Sequence, residues 1–377
     1  MELHFQGWPA GGNLHFNAPS AVFEAWTAEA VGPTLEAAEE ARRQGAWLAG
    51  FACYELGLAF EPKLAEGLLT DPTLPLFAFG AFDGPAPWVL DETVEDAPVA
   101  LGPLTPAWSL EDYGEAFRAL HDAIVAGELY QGNLTFPLSG PYEGSPRALF
   151  KALAARQAVP FGVLVERPKG PMLLSRSPEL FFRTDGEGGI EAKPMKGTAP
   201  RHPDPERDAA ARTFLAEDLK NRAENLMIVD LLRNDLGKLC TLGSVRGEGL
   251  FAVESFATVH QMTSLVRGQL KASPALGTFL RALFPCGSIT GAPKFRAMET
   301  LRALESGPRG IYCGTLGWMA PDGRSEFNVA IRTLALDEGQ ARLAVGSGVV
   351  YDSVVEAEYE EALWKARFAT LSPETAP

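Results

Sequence analysis

The sequence has few cysteines, no long apolar run and no excess of positive charge, and each absence excludes a class of protein. Its four cysteines, Cys53, Cys240, Cys286 and Cys313, form no CxxC pair. This spacing excludes a zinc site built on paired cysteines and a dense disulfide framework. We expect buried, reduced thiols in a cytoplasmic protein. The formal net charge of −15 argues against nucleic acid or an anionic membrane surface as a partner, since both need a basic face.

Targeting segments, repeats and common nucleotide-binding loops are also missing. The chain has no stretch of about 18 apolar residues, so no membrane-spanning helix is expected. Its opening residues, MELHFQGWPAGG, have no basic region followed by an apolar run, and we therefore expect no signal peptide. No internal repeat, GxGxxG motif or P-loop occurs. A length of 377 residues with 46% hydrophobic residues suits a soluble protein of one large or two ordinary domains.

Hydrophobic periodicity predicts a mixed α and β protein with extensive sheet. The segment 109–128 is the clearest helix, with Ser109 as N-cap and Asp112 in a capping role. Further helices are predicted at 33–45, 146–157, 206–232, 274–284, 293–305 and 356–371. Strands are predicted at 46–56, 129–138, 161–166, 171–174, 180–184, 311–319, 326–336 and 341–350. Chain rich in proline and glycine predicts a boundary near residue 105.

The stretch KPMKGTAPR, residues 193–201, places a lysine in an unusual setting. Pro194 and Pro200 bracket Lys196, and Thr198 follows it by two residues. Prolines exclude a helix interior and a central strand, so the segment is a shaped loop or a strand end. Two interpretations stay open: a solvated loop lysine, or a loop that aims the lysine at a site.

Three glutamates on predicted helices are candidate ligands of a metal ion. Glu224 stands near the start of a helix with an apolar face, and Glu358 and Glu361 are three apart on one face of the last helix. The structural alternatives are a core helix with charged ends, and solvated surface glutamates of which Glu361 pairs with Lys365. If the three carboxylates meet and leave room for water, they suit Mg²⁺.

Three further features are individually ambiguous. Glu179 lies between two apolar runs, where a carboxyl group has a raised pKa unless it sits at a strand edge. Arg332 interrupts an apolar strand and needs a carboxylate partner there. The small residues 287–291 precede Pro293, which suits the first turn of a helix. They form either a backbone that binds an anion at the helix start or a well-capped helix.

Taken together, five motifs resemble the chorismate-utilising enzymes. They are PMKGTAPR, AENLMIVDLLRND, GSITGAPKFRAME, AIRT and GSGVVYDSVVEAEYEEALWKA, and they occur in family order between about residues 109 and 370. This family includes anthranilate synthase component I, aminodeoxychorismate synthase component I, isochorismate synthase and salicylate synthase. The resemblance implies an α+β fold, with a large mixed or antiparallel β-sandwich flanked by helices. It also implies a catalytic domain over 106–377 and a shortened N-terminal subdomain over 1–105, without a convincing tryptophan site.

Two positions distinguish the branches of that family. Anthranilate synthases resemble PIAGT, whereas the aminodeoxychorismate-forming members resemble PIKGT, with the lysine that stands here as Lys196. Isochorismate and salicylate synthases have a water-activating lysine where this chain has Gln131. The resemblance therefore implies conversion of chorismate and ammonia to 4-amino-4-deoxychorismate, for p-aminobenzoate and folate, with ammonia delivered from glutamine by a separate amidotransferase subunit. An anthranilate synthase component I is the alternative, and a non-catalytic chorismate-binding subunit is a distant one.

The resemblance also assigns roles to individual residues. Lys196 matches the nucleophile that attacks C2 of chorismate, and Glu179 matches the general acid. Glu224 and Glu361 match ligands of Mg²⁺, with Glu358 beside them. The matches to substrate-binding positions are Arg332, Tyr312, Gly348, Ser288, His260 and Thr198. Asn221 stands where anthranilate synthases often have a further glutamate.

Overall fold

Two large β-sheets form the centre of the protein. The computed structural model describes residues 1–8, 12–90, 97–256 and 259–371. Within those ranges the first sheet has 11 strands and the second has 10. Neighbouring strands within each sheet pair in the antiparallel direction. An antiparallel sheet can bury one face and leave the other to a different layer, which is how helices come to flank this pair.

The first sheet has the order β17-β9-β21-β20-β11-β10-β1-β2-β6, and β7 and β8 also pair with β9. Its strands are β1 (Glu2–Gln6), β2 (Asn13–Phe16), β6 (Ala86–Pro87), β7 (Ala100–Leu101), β8 (Thr105–Pro106), β9 (Gln131–Glu143), β10 (Phe161–Glu166), β11 (Met172–Ser177), β17 (Gly291–Ala292), β20 (Thr333–Asp337) and β21 (Gln340–Val349). The longest contact in this sheet is between β9 and β21, which pair from Gln340 to Val349.

The second sheet has the order β14-β16-β13-β12-β19-β18-β4-β5-β3, with β15 paired to β16. Its strands are β3 (Ala21–Ala25), β4 (Trp47–Ala52), β5 (Phe77–Phe82), β12 (Leu180–Asp185), β13 (Gly189–Lys193), β14 (Met195–Pro200), β15 (Arg246–Ser255), β16 (Val259–Gln269), β18 (Thr315–Met319) and β19 (Arg324–Asn328). Strand β14 lies at one edge of this sheet, a position in which proline is tolerated.

Helices cover the outer faces of the two sheets. They are α1 (Ala28–Arg43), α2 (Glu55–Ala59), α3 (Pro62–Ala65), α4 (Leu110–Val125), α5 (Pro146–Arg156), α6 (Pro205–Glu217), α7 (Leu219–Leu239), α8 (Leu276–Leu283), α9 (Lys294–Leu304) and α10 (Val355–Lys365), with 3-10 turns at Gly287–Ile289 and Arg367–Ala369. One apolar cluster joins α1, α7 and α8 to the second sheet. Another joins α4, α5, α9 and α10 to the first sheet.

A third apolar cluster lies between the sheets and makes them a sandwich. It combines Phe5 and Val163 of the first sheet with Phe51 and Leu316 of the second. Side chains from two inner faces that interdigitate in this way form the core of a β-sandwich. The predicted α+β sandwich flanked by helices is confirmed.

The predicted helix 206–232 is wrong, because it is two helices that meet at Asp218. The Asp218 side chain accepts hydrogen bonds from the backbone N–H and the side-chain amide of Asn221, both at 2.8 Å. Its backbone is extended, so Asp218 ends α6 and caps α7. An aspartate that satisfies first-turn N–H groups favours a new start over a continuous helix. The predicted capping box of Ser109 and Asp112 is confirmed.

The predicted strand 326–336 is also wrong, since its two halves belong to different sheets. Strand β19 ends at Asn328 in the second sheet, and β20 begins at Thr333 in the first. Arg332 lies in the crossing, with φ of +51°, a conformation that few non-glycine residues adopt. Arg332 thus interrupts no strand, and it stands where the chain passes between the sheets. The predicted strand 311–319 starts only at Thr315.

The first 105 residues contribute strands to both sheets, as β1 and β2 show in the first and β4 and β5 in the second. A boundary near residue 105 stays a prediction. The four cysteines are free and buried, as predicted. Across the described ranges, no helix combines the length and the hydropathy that a bilayer crossing requires.

Candidate active site

A cavity of about 680 Å³ opens where strands of both sheets meet α7 and α10. Its size is within the range of pockets that enclose a small organic ligand. Ten of the residues predicted for the site line it: Glu179, Lys196, Thr198, Glu224, Ser288, Tyr312, Arg332, Gly348, Glu358 and Glu361. These residues are spread over more than 180 positions of the chain, and the fold brings them to one place.

Lys196 reaches the cavity because the edge strand β14 bulges beside it. The pairing with β16 shifts register between Met195 and Thr198, and Gly197 has φ of +85°. A bulge leaves an extra residue unpaired and redirects its side chain. A Cβ atom at position 197 would lie 2.7 Å from Oδ1 of Asn221, so glycine is required there. The segment therefore aims the lysine at the cavity.

The environment of Lys196 favours its neutral form. Burial is the largest influence and lowers the pKa of Lys196, and the positive charge of Lys365 acts in the same direction. The carboxylates of Glu224, Glu361 and Glu179 oppose the shift without reversing it. A buried ammonium group without enough compensation gives up its proton more easily. Lys196 is thus closer to a nucleophilic amine than an ordinary surface lysine is.

Glu179 lies between β11 and β12 and is 4% exposed. Burial raises its pKa to about 7, although a hydrogen bond from Ser288, the charge of Lys196 and the backbone N–H of Met195 all favour the ionised form. The hydroxyl of Ser288 donates to Oε1 of Glu179 over 2.8 Å. Near neutral pH a large fraction of Glu179 therefore holds a proton that it can donate.

Gly348 of β21 lies next to the side chains of Lys196 and Gln131. A Cβ atom there would be 3.2 Å from Nζ of Lys196 and 2.9 Å from Nε2 of Gln131. Gln131 is 1% exposed, and in the described part of the chain neither of its side-chain polar atoms has a hydrogen-bond partner. An amide does not take up a proton at neutral pH, so Gln131 offers hydrogen bonds but no base.

Three carboxylates form one wall of the cavity. Glu224 comes from α7, and Glu358 and Glu361 come from α10. Burial raises the pKa of Glu224, and the charges of Glu358 and Glu361 raise it further. Burial also acts to raise the pKa of Glu361, but the charge and hydrogen bond of Lys365 outweigh it and the net shift is downward. Carboxylate oxygens are ligands that Mg²⁺ prefers, but these three do not converge into a compact ligand cluster in the described part of the chain, where such a cluster is formed instead by Glu2, His4 and His15. A magnesium site at the cavity stays a prediction.

Arg332 supplies a positive charge to the lining of the cavity. Burial lowers its pKa, and no carboxylate contributes to that shift. Among residues 1–8, 12–90, 97–256 and 259–371, none forms an ion pair with its guanidinium. The predicted carboxylate partner of Arg332 is therefore absent from the described protein. A half-buried guanidinium that lines a cavity is suited to a carboxylate of a bound ligand. Tyr312, which is buried beside the cavity, adds a phenol.

The small residues before α9 fit closely against a neighbouring strand. Gly291 has φ of +143°, and a Cβ atom there would lie 2.2 Å from the carbonyl oxygen of Gln131. Residues 291 and 292 pair with β9, and Pro293 precedes the first residue of α9. The backbone of β9 therefore leaves no room for a side chain at position 291. Anion binding at the helix start stays a prediction.

His260 and Thr198 differ from the other predicted residues. The imidazole of His260 is not among the groups that line the cavity, since its Nδ1 lies 2.8 Å from Ser255 Oγ and its Nε2 lies 3.0 Å from Asp208 Oδ1. The hydroxyl of Thr198 lines the cavity but donates to Gln261 at 3.0 Å. The sequence predicts that His260 and Thr198 contact the substrate, whereas in the structure the side chains of both form hydrogen bonds with other residues of the protein.

Several lining residues were missed by sequence reasoning. One of them is Lys220, which lies one helical turn before Glu224, and the spacing of four between the two was an available signal. Lys365, which the sequence offered as a partner for Glu361, also lines the cavity and forms that ion pair at 2.8 Å. Trp364 also lines the cavity and is 42% exposed, and no periodicity distinguishes it from a core residue.

Comparison with known proteins agrees with the geometry of the cavity. A family model described as chorismate binding enzyme matches residues 15–370. The aminodeoxychorismate synthase component 1 of Klebsiella aerogenes is 38% identical over 338 residues, which cover 84% of this chain and 74% of that protein. The aminodeoxychorismate synthase of Streptomyces pristinaespiralis is 44% identical over 259 residues, 69% of this chain. The chain covers only 36% of that longer relative.

A solved structure shows the same fold. Anthranilate synthase component I from Streptococcus pneumoniae superposes with a TM-score of 0.80, over 97% of this chain and 92% of that one. The sequence identity of the pair is 23%, so this likeness concerns the fold alone. The relatives of higher identity bear on which reaction the cavity performs.

Proposed function

The chain belongs to the family of chorismate binding enzymes, and from that premise we propose that it forms 4-amino-4-deoxychorismate from chorismate and ammonia. The observation that carries the proposal is the bulge of β14, which turns Lys196 into the same cavity as the buried acid Glu179. The relatives named aminodeoxychorismate synthase support the same branch of the family.

Chorismate has two carboxylates, and the cavity offers a separate place for each. The unpaired guanidinium of Arg332 and the phenol of Tyr312 would bind the enolpyruvyl carboxylate. Glu224, Glu361 and Glu358 would hold Mg²⁺ on the other side. When bound, the metal would supply positive charge to neutralise the ring carboxylate. The substrate would then lie between the two, with its ring next to Lys196 and Glu179.

The reaction begins with the amine of Lys196. Its nitrogen forms a bond to C2 of the ring, the double bonds shift, and the bond from C4 to its hydroxyl oxygen breaks. Glu179 gives its proton to that oxygen, which leaves as water. Ammonia then attacks C4, the double bonds shift back, and the bond between C2 and Lys196 breaks. The proton that ammonia loses returns to the carboxylate of Glu179, and the pyruvyl group stays on the product.

The two pKa shifts act in the directions that this scheme needs. The nucleophile must be neutral, and burial lowers the pKa of Lys196. The acid must be protonated, and burial raises the pKa of Glu179 to about 7. Oppositely directed shifts in one cavity are typical of paired acid and nucleophile roles.

The alternatives differ at identified residues. An anthranilate synthase would use the same cavity, and Lys196 is the feature that argues against it. An isochorismate synthase needs a base near C2, and the unpaired amide of Gln131 cannot be one. A non-catalytic subunit would have no need for a lysine and a carboxyl group with shifted pKa values.

Ammonia is proposed to come from a separate glutamine amidotransferase subunit. The Klebsiella relative is named component 1, and the Streptomyces relative is a longer protein of which this chain covers 36%. Free ammonium at high concentration should replace the partner, because the chemistry at C4 needs only the neutral amine.

Product identification tests the proposal. The purified chain is incubated with chorismate, Mg²⁺ and ammonium, and the products are separated by chromatography and identified by mass spectrometry. We expect 4-amino-4-deoxychorismate, and none when ammonium is omitted. Release of anthranilate and pyruvate would move the enzyme to the anthranilate branch, and binding of chorismate without any turnover would support the non-catalytic alternative.

A further inference from the structure

Ser288 directs its hydroxyl at the general acid. It lies in the 3-10 turn Gly287–Ile289 and is 5% exposed. Its Oγ donates to Oε1 of Glu179 at 2.8 Å, and both side chains are buried. A hydrogen bond in such a site is stronger and more directional than one in water. The role of Ser288 therefore concerns Glu179 as well as the lining of the cavity.

We propose that Ser288 is a positioning residue that holds the acidic proton of Glu179 on Oε2 and so presents it to the leaving hydroxyl. This inference rests on the proposed function. A protonated carboxyl group has one donating oxygen and one accepting oxygen. Because the serine hydroxyl donates to Oε1, that oxygen is the acceptor, and the proton occupies the other one. In the reaction the bond from Oε2 to hydrogen breaks as the C4–oxygen bond breaks, and the products are carboxylate and water.

The neighbours of Ser288 exclude a role as proton relay. Its Oγ lies 3.3 Å from Sγ of Cys286. Burial raises the pKa of Cys286 to about 12, and the nearby charge of Glu179 raises it as well. The thiol therefore stays protonated and cannot pass a proton onward from Ser288. In the described residues the side-chain contacts of the Ser288 hydroxyl are Glu179 and Cys286, which leaves orientation of Glu179 as the function of the serine.

The charged and titratable groups that face Glu179 are few. Lys196 approaches from β14, and the Cys286 thiol approaches from the turn before α9. The remaining neighbours are neutral donors, the Ser288 hydroxyl and the backbone N–H of Met195. Loss of the Ser288 donor thus removes a stabilising contact of the ionised carboxylate and leaves the charges around it unchanged.

The test compares Ser288→Ala, Ser288→Thr and the control Cys286→Ala in ammonium-dependent turnover. For Ser288→Ala we expect kcat to fall about tenfold, which is less than the whole contribution of a general acid, with a smaller change in KM for chorismate. The falling limb of kcat above neutral pH should move upward by about one pH unit, since a hydrogen bond to a charged group is lost. Ser288→Thr should restore both values, and Cys286→Ala should leave the limb in place.

A second readout does not depend on turnover. Infrared titration follows the carboxyl C=O band of Glu179, assigned by its loss in Glu179→Gln, in the protein without substrate. We expect the midpoint to rise in Ser288→Ala and to return in Ser288→Thr. An unchanged midpoint and an unmoved limb in Ser288→Ala would overturn the inference. If the wild-type chain forms no aminodeoxychorismate while the midpoint still shifts, the proposed function fails and the contact between Ser288 and Glu179 is upheld.

Discussion

Replacement of Gly348 by alanine should damage catalysis more than folding. The φ of Gly348 is outside the left-handed region, so alanine fits the backbone. Its methyl group would lie 3.2 Å from Nζ of Lys196 and 2.9 Å from Nε2 of Gln131. Both atoms are ends of flexible side chains, and an ordinary contact is about 3.5 Å or longer. The lysine must therefore retreat by a few tenths of an ångström.

The size of the effect follows from that displacement. A misplacement of about 1 Å costs roughly 10²-fold in rate, so a few tenths of an ångström should lower kcat roughly 3- to 10-fold. The melting temperature should stay close to the wild-type value. The assay is ammonium-dependent turnover of chorismate, together with thermal unfolding.

Gly346 in the same strand provides a matched control. A Cβ atom there would lie 2.7 Å from the carbonyl oxygen of Leu134 and 2.8 Å from Cγ2 of Thr135. A collision with backbone cannot be relieved by a side-chain rotation, so Gly346→Ala should lose about 1–3 kcal/mol of stability. If Gly348→Ala keeps full kcat, or loses as much stability as Gly346→Ala, the placement of Lys196 beside β21 is refuted.

Three further predictions concern charge in the cavity. The value of kcat should fall as pH rises through about 7, because Glu179 must be protonated and its pKa is about 7. A kcat that stays constant over about one pH unit on each side of that pKa would contradict this. Glu361→Gln should weaken Mg²⁺ binding about tenfold or more. Binding is measured by titration with Mg²⁺ while the fluorescence of Trp364 is recorded. An unchanged dissociation constant would show that Glu361 does not bind the metal. Arg332→Lys should raise KM for chorismate about tenfold or more with a smaller change in kcat, since lysine cannot form the two parallel hydrogen bonds of a guanidinium; equal KM values would show that no carboxylate binds there.

The roles of the site residues were expected from the family resemblance, whereas some features of the fold were accessible from sequence because they have a local physical basis. The capping box at Ser109 satisfies its own helix, and it can be read from neighbouring residues. Prolines on both sides of Lys196 exclude a helix interior and a central strand, and the structure shows an edge strand with a bulge there. In both cases the residues that decide the conformation lie within a few positions of each other.

The remaining features depend on contacts between distant segments. The apolar neighbours of Arg332 predict a strand, but in the structure they lie in the segment that connects a strand of one sheet to a strand of the other. The imidazole of His260 lies 3.0 Å from Asp208, a residue of α6 that is 52 positions away. The residues next to His260 in the sequence do not indicate a hydrogen-bond partner so far along the chain. The break at Asp218 has a local signal, an aspartate followed three residues later by asparagine, but helical periodicity on both sides conceals it.

The central claim is that Lys196 attacks chorismate, and intact-protein mass spectrometry tests it most directly. The chain is mixed with chorismate and Mg²⁺ without ammonium, quenched in acid and weighed. We predict an added mass of one chorismate minus one water, located on Lys196 by peptide mapping and absent from Lys196→Ala. Lys193→Ala is the control, because Lys193 lies in the same segment but pairs with Glu254, and it should keep the adduct. Formation of aminodeoxychorismate by Lys196→Ala at the wild-type rate would contradict the account.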